Sequence, residues 1–192
     1  MNKQDLLDEL QQAVIDDKVC IELAAQATNL VMGEGNPNAD IIFIGEAPGK
    51  KEDEVGLPFV GASGKFLNEM LAEAGLVRND IYITNIVKYR PPNNRDPSPE
   101  EKQAFWPYLI KQIEIINPAV VITLGRHSME YFIPNAKISE QHGHTKEVVY
   151  HDKKFLVIPL YHPAAALYNG SLREVLIADF LTAAKVASSV KN

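Results

Sequence analysis

"FIGEAPGKKE", residues Phe43 to Glu52, closes an apolar run abruptly on Gly-Glu-Ala-Pro-Gly. The run Ile41 to Ile44 is short, rich in isoleucine and without polar alternation, which reads as a strand buried on both faces. Three more runs share that character: Ile81 to Val87, Val120 to Leu124 and Phe155 to Leu160. Helical patterns lie between them. "SGKFLNEMLAEAGL" starts at a Ser63 N-cap and ends at Gly75. "SPEEKQAFWPYLIKQIEII" opens on Ser98-Pro99, carries a kink at Pro107 and stops before Asn117-Pro118. "RHSMEYFI" reads as a short helix after Gly125, "LREVLIADFLTAAKVA" as a closing one, and residues 1–32 as a helical N-terminal cap.

Strands alternating with helices call for parallel pairing with right-handed crossovers. The expected fold is therefore α/β: one three-layer α/β/α domain over residues 1–192, with a central four-stranded, mostly parallel sheet. A hairpin around His151 to Lys153 is expected before the last core strand. In such sheets ligands bind beyond the carboxyl ends of the strands.

Composition narrows the function. The chain has 192 residues, 46% of them hydrophobic, which suits one domain. It has no apolar stretch of about 18 residues, and it starts on an acidic amphipathic segment, so no membrane association and a cytoplasmic location are expected. One cysteine, Cys20, excludes an internal disulfide framework and an all-cysteine metal site within the chain. The net charge of −6 is uneven: residues 1–80 hold 6 basic and 15 acidic side chains, residues 81–192 hold 13 and 10. A small basic site on an acidic body is one reading of this asymmetry, and a solvated charged face is the other.

The residues after the four strands are Gly45-Glu46-Ala47-Pro48-Gly49, Asn85 with Lys88, Gly125-Arg126-His127, and His162-Pro163. Singly, such residues cap helices or tie down loops. Together they put groups suited to binding and proton chemistry at one edge of the sheet. Competing motifs fail on spacing. A phosphate-binding loop ending at Gly64-Lys65 would need glycine at Phe59 and Ser or Thr at Phe66, and Gly61-Ala62-Ser63-Gly64 lacks the hydrolase-elbow spacing. His142, His144 and His151 offer metal-ligand types, but Gly143 marks a turn, so they read as surface histidines.

"GEAPGKKEDEVGLPFVGASGKFL", "YITNIVKYRPPNNRDPSPEE" and "HPAAAL", in that order on a four-strand α/β pattern, resemble the family 4 uracil-DNA glycosylases from about Gly33 to Phe180. The resemblance implies a hydrolase of base-excision repair that acts on uracil-containing DNA, as a monomer. It makes the Gly45–Gly49 turn, with Ala47, the rim of a uracil pocket. Glu46, Asn85 and His162 become the catalytic residues, with His162 donating to uracil O2 and Asn85 reading O4 and N3–H. Phe59 stacks on the flipped base, Glu52 fills the space at C5 that thymine's methyl would need, and Asn94 supports the site. Lys50, Lys51, Lys65, Lys88, Arg90 and Arg95 are expected to contact phosphate. Leu167 stands one place beyond the usual wedge position, which holds Ala166. A glycosylase for another deaminated base such as hypoxanthine, and a non-catalytic DNA-binding module on the same fold, remain open alternatives.

In one respect the sequence departs from the family pattern. Such enzymes hold a four-iron, four-sulfur cluster through four cysteines, whose positions here fall on Lys18, Ile21, Tyr89 and Phe105. One thiolate cannot hold such a cluster, so no cofactor is expected. Ile21, Tyr89 and Phe105 are instead expected to pack together in the vacated space, with Lys18 turned to solvent.

Overall fold

The computed structural model describes residues 2–150 and 153–190. In chain order the elements are α1 (Lys3–Asp16), α2 (Ile21–Ala24), β1 (Glu34–Gly35), β2 (Ile41–Gly45), α3 (Lys50–Val55), α4 (Ala62–Glu73), β3 (Tyr82–Asn85), α5 (Pro99–Ile116) and β4 (Val120–Leu124). They continue with α6 (Arg126–Phe132), α7 (Ile138–Gln141), β5 (Lys146–Tyr150), β6 (Lys153–Leu160), α8 (Pro163–Tyr168) and α9 (Leu172–Val190).

The sheet has six strands in the order β1-β3-β2-β4-β6-β5. Its centre is the expected parallel set, β3-β2-β4-β6, and the two added strands pair antiparallel at the edges. The two-residue β1 carried no strand pattern of its own. β5 and β6 pair antiparallel as the expected hairpin requires, and residues 151–152 between them lie outside the described residues. Both faces of the centre are buried. Ile42, Ile44 and Val121 join one apolar cluster with α1, α5 and α6, while Ile41, Phe43, Val120 and Ile122 join another with α4 and α9. This is the three-layer arrangement that unalternating strands demand.

The N-terminal helices belong to the first cluster through Leu7, Leu10, Val14 and Leu23. One local expectation changes: α4 begins one residue before Ser63, with Gly61 as its N-cap, whereas α5 carries Pro107 inside a single helix as the sequence reads. The start of α5 follows the sequence closely, because Ser98 and Glu101 close a reciprocal capping box. Among the described residues no helix is long and apolar enough to cross a membrane.

Candidate active site

The carboxyl ends of β2 and β3 and the start of α8 converge on a cavity of about 450 Å³. Glu46, Ala47, Pro48, Gly49, Glu52, Phe59, Ser63, Asn85, Asn94, Asp96, His162 and Tyr168 are among the residues that line it. Backbone register explains the convergence. Gly45 pairs with Asn85 across β2 and β3, and beyond the ladder Ile86 N–H and Val87 N–H donate to the carbonyls of Gly45 and Glu46, each at 3.0 Å. The two strand ends are thus stitched together where the polar residues begin.

Gly45 lies beneath the cavity wall rather than on its rim. A β-carbon there would overlap Asn85 Oδ1 and stand 2.7 Å from the Phe59 ring, so glycine is what lets the amide and the aromatic face the same space. Phe59 is buried with a left-handed backbone, φ 52°. Gly64 accommodates that kink, since a β-carbon at 64 would run into the Phe59 carbonyl. Glu52 Oε1 accepts from Val60 N–H at 3.0 Å and Gly61 N–H at 2.8 Å, tying α3 to the loop that carries Phe59. It is a pocket-lining anchor rather than a solvated charge.

His162 is the N-cap of α8. Its Nδ1 accepts from Ala164 N–H at 3.1 Å, so in the neutral ring the proton sits on Nε2. Burial pushes its pKa down to about 4, against a smaller opposing pull from Glu52. At neutral pH it is therefore an uncharged Nε2–H donor. Its ring lies 5.6 Å from that of Phe59, tilted by 31°.

Glu46 follows β2 directly. Burial first, and the nearby Asp96 second, raise its pKa to about 7, so it exchanges a proton near neutrality. His127 Nε2 stands 3.8 Å from Glu46 and 3.3 Å from Asp96. Desolvation and the neighbouring Lys102 and Arg126 lower the His127 pKa. His127 was visible as a polar strand-end residue, but no motif gave it a role, and nothing in the sequence marked Asp96. Ligand atoms of Glu46, Asp96 and His127 lie within 4.8 Å of one another.

The expected DNA contacts divide. Lys50, Lys51 and Lys65 are exposed near the first motif, with Lys51 paired to Glu54 at 3.2 Å. Arg90 donates to Asn94 Oδ1 at 2.7 Å, and Arg95 is bound to both oxygens of Glu101 at 2.8 and 2.6 Å. Lys88 is a correction: it is fully buried, its ammonium spent on internal acceptors, and it cannot reach phosphate. Leu167 is 51% exposed, but its neighbour Tyr168, 92% exposed, is the residue at the cavity mouth. Of the three loop histidines, His142 contacts Asp179 at 2.7 Å, His144 is exposed, and His151 lies outside the described residues.

The four positions where the resemblance places cluster cysteines do not fit that group. Lys18 is exposed, and Tyr89 and Phe105 are buried in edge-on contact, ring centroids 6.0 Å apart. Ile21 does not join them; it is 57% exposed. Left-handed backbone at Lys18 (φ 52°) and Cys20 (φ 50°) turns Cys20 inward instead, against the core and 3.8 Å from the Glu101 carbonyl. Burial and Glu101 push the Cys20 thiol up to about 11, the opposite of the thiolate that iron requires.

Comparison with known proteins agrees with this geometry. The uracil DNA glycosylase superfamily model matches residues 32–184. The chain is 47% identical over 194 residues to the type-4 uracil-DNA glycosylase of Sulfurisphaera tokodaii, covering 98% of this chain and 88% of that protein. It is 47% identical over 179 residues to the type-4 enzyme of Archaeoglobus fulgidus (91% and 89% covered), and 50% identical over 167 residues to that of Saccharolobus solfataricus (84% and 77%).

Proposed function

The chain belongs to the uracil DNA glycosylase superfamily, and we propose that it excises uracil from DNA as a cytoplasmic monomer, using side-chain chemistry alone. The reaction hydrolyses the N-glycosidic bond. Water adds to the sugar C1′ while the bond to N1 breaks, and the bonding electrons leave on the base, where O2 takes much of the charge. A donor at O2 and a carboxylate near the sugar both lower that barrier.

His162 supplies the donor. Being neutral, it favours the anionic leaving group by a hydrogen bond that strengthens as charge develops. Asn85 reads the base: its amide donates to O4 and accepts from N3–H, whereas cytosine reverses both patterns. Phe59 stacks on the flipped ring. Glu46, ionised above about pH 7, orients the attacking water and faces the developing positive charge on the sugar. Glu52, rigidly held, borders the base, and this supports its role against the thymine methyl. Asn94 keeps Arg90 in place at the mouth, where Arg95 and the exposed lysines meet phosphate.

The observation that carries this reading is that Phe59, Asn85 and His162, drawn from three separate segments, line one cavity with His162 held as a neutral donor. The test is release of free base from oligonucleotides containing one uracil or one hypoxanthine. Uracil release with hypoxanthine untouched is expected. Hypoxanthine release in place of uracil, or binding without release of either, would contradict it.

A further inference from the structure

Behind the wall that carries Asn85 sits a polar island in an otherwise apolar cluster. Lys88, fully buried, donates to Thr84 Oγ1 at 2.6 Å, the main-chain carbonyl of Asn85 at 2.7 Å and Gln112 Oε1 at 2.8 Å. All three ammonium protons are used, and all three acceptors are neutral. Gln112 is oriented by its own donations to Met32 O at 3.0 Å and the Tyr82 hydroxyl at 3.1 Å. Thr84 sends its proton to Met32 O at 2.8 Å, leaving a lone pair for Lys88.

A buried cation with only neutral partners is a poor way to stabilise a fold. Burial drives the Lys88 pKa well below the usual lysine range, and a methionine of similar length would fill the space without that desolvation. A local rule broken beside a functional residue points to a use for the break. The main chain after Asn85 is fixed by the Ile86 and Val87 amides, yet neither of these bonds touches the Asn85 carbonyl itself. Lys88 does. Rotation of that peptide swings the Cα–Cβ direction, and a displacement of about 1 Å in a reading group is enough to cost about a hundredfold in rate.

We propose that Lys88 is a positioning residue for uracil recognition: by holding the Asn85 carbonyl from beneath, it fixes the direction in which the Asn85 carboxamide meets the base. The inference rests on the role given to Asn85 above.

The experiment is single-turnover uracil release by Lys88→Met, Asn85→Ala and the double variant, with Lys88→Met also placed in His162→Ala. Lys88→Met alone is expected to slow release about 10- to 100-fold while affinity for uracil-free DNA stays within about twofold. In Asn85→Ala it should add less than about twofold; in His162→Ala it should keep its full factor. The same factor in all backgrounds, or a wild-type rate in Lys88→Met, overturns the inference. A wild-type rate in Asn85→Ala overturns the reading of Asn85, and the inference with it; a slow Asn85→Ala combined with additive Lys88→Met overturns the inference alone. Should Lys88→Met not fold, Lys88→Gln, which keeps a shorter neutral donor, is carried through the same backgrounds.

Discussion

The candidate pocket and the region around Tyr89 stand in opposite relation to the same family pattern. At the pocket, Gly45, Glu46, Phe59, Asn85 and His162 are present, and each is held by a specific contact. At positions 18, 21, 89 and 105 no cysteine stands, yet Tyr89 and Phe105 fill the interior and Cys20 packs against the same apolar cluster. The difference separates two kinds of requirement. Recognition and leaving-group stabilisation depend on particular donors and acceptors at particular atoms. Cross-linking distant segments depends on occupied volume, which close-packed apolar side chains also supply.

If that division holds, substitutions in the pocket should change rate far more than stability, and the largest rate effects belong there. Asn85→Asp, which replaces the amide donor at O4 by a carboxylate oxygen, and His162→Ala should each slow single-turnover uracil release about 100- to 1000-fold. His162→Ala should also lose about 1 kcal/mol of stability, because Nδ1 caps Ala164 N–H. A folded His162→Ala enzyme at wild-type rate breaks the comparison on its chemical side.

Next in size is Glu46→Gln, expected to slow release about 100-fold at pH 8 and to flatten the pH profile. In the wild type the rate should rise as Glu46 ionises through about pH 7, with no limb from His162, which stays neutral above about 4. The linked stability effect has a definite sign. The Glu46 carboxyl is raised on folding, so its own contribution to stability falls as pH rises from about 4.5 to 7. Melting curves should show Glu46→Gln ahead of the wild type above pH 7, and the gap should close towards pH 4. A rate independent of pH between 5.5 and 8 in the wild type would remove Glu46 from the water-activating role.

The other region should answer in the reverse sense. Phe105→Ala, measured by denaturant unfolding, should cost about 3–5 kcal/mol, while the rate per folded molecule stays within about twofold. A loss of rate without loss of stability would mean that the packed region does more than occupy space. The smallest effect is on salt. With Lys88 buried, and with Lys51 and Arg95 exchanging Glu54 and Glu101 for phosphate rather than releasing counterions outright, the log of DNA affinity should fall against log salt with a shallow slope, about −2 to −4.

The sequence carried the central sheet and the convergence of polar residues on its edge because both follow from local signals: unalternating apolar runs, and what comes immediately after them. The N-cap of α5 was local as well. What it could not carry depends on where the chain returns. Lys88 reads as a surface lysine by type, and its burial follows from Gln112, 24 residues on, supplying an acceptor. Ile21 and Cys20 exchange inside and outside through two left-handed residues, a one-position difference that spacing does not reveal. Glu52 stands first in Glu52-Asp53-Glu54, a stretch whose composition alone reads as solvated charge, and its two amide partners lie eight and nine residues further along. His127 was seen at a strand end, but its approach to Glu46 requires β4 to lie beside β2.

Whether packing has replaced the cluster is tested most directly by measuring iron content and uracil release on one preparation, dialysed against a strong chelator. A colourless protein is expected, with far less than one iron per chain, that still releases uracil at the rate of the undialysed enzyme. Iron near four per chain, or activity that disappears as iron is withdrawn, would contradict it.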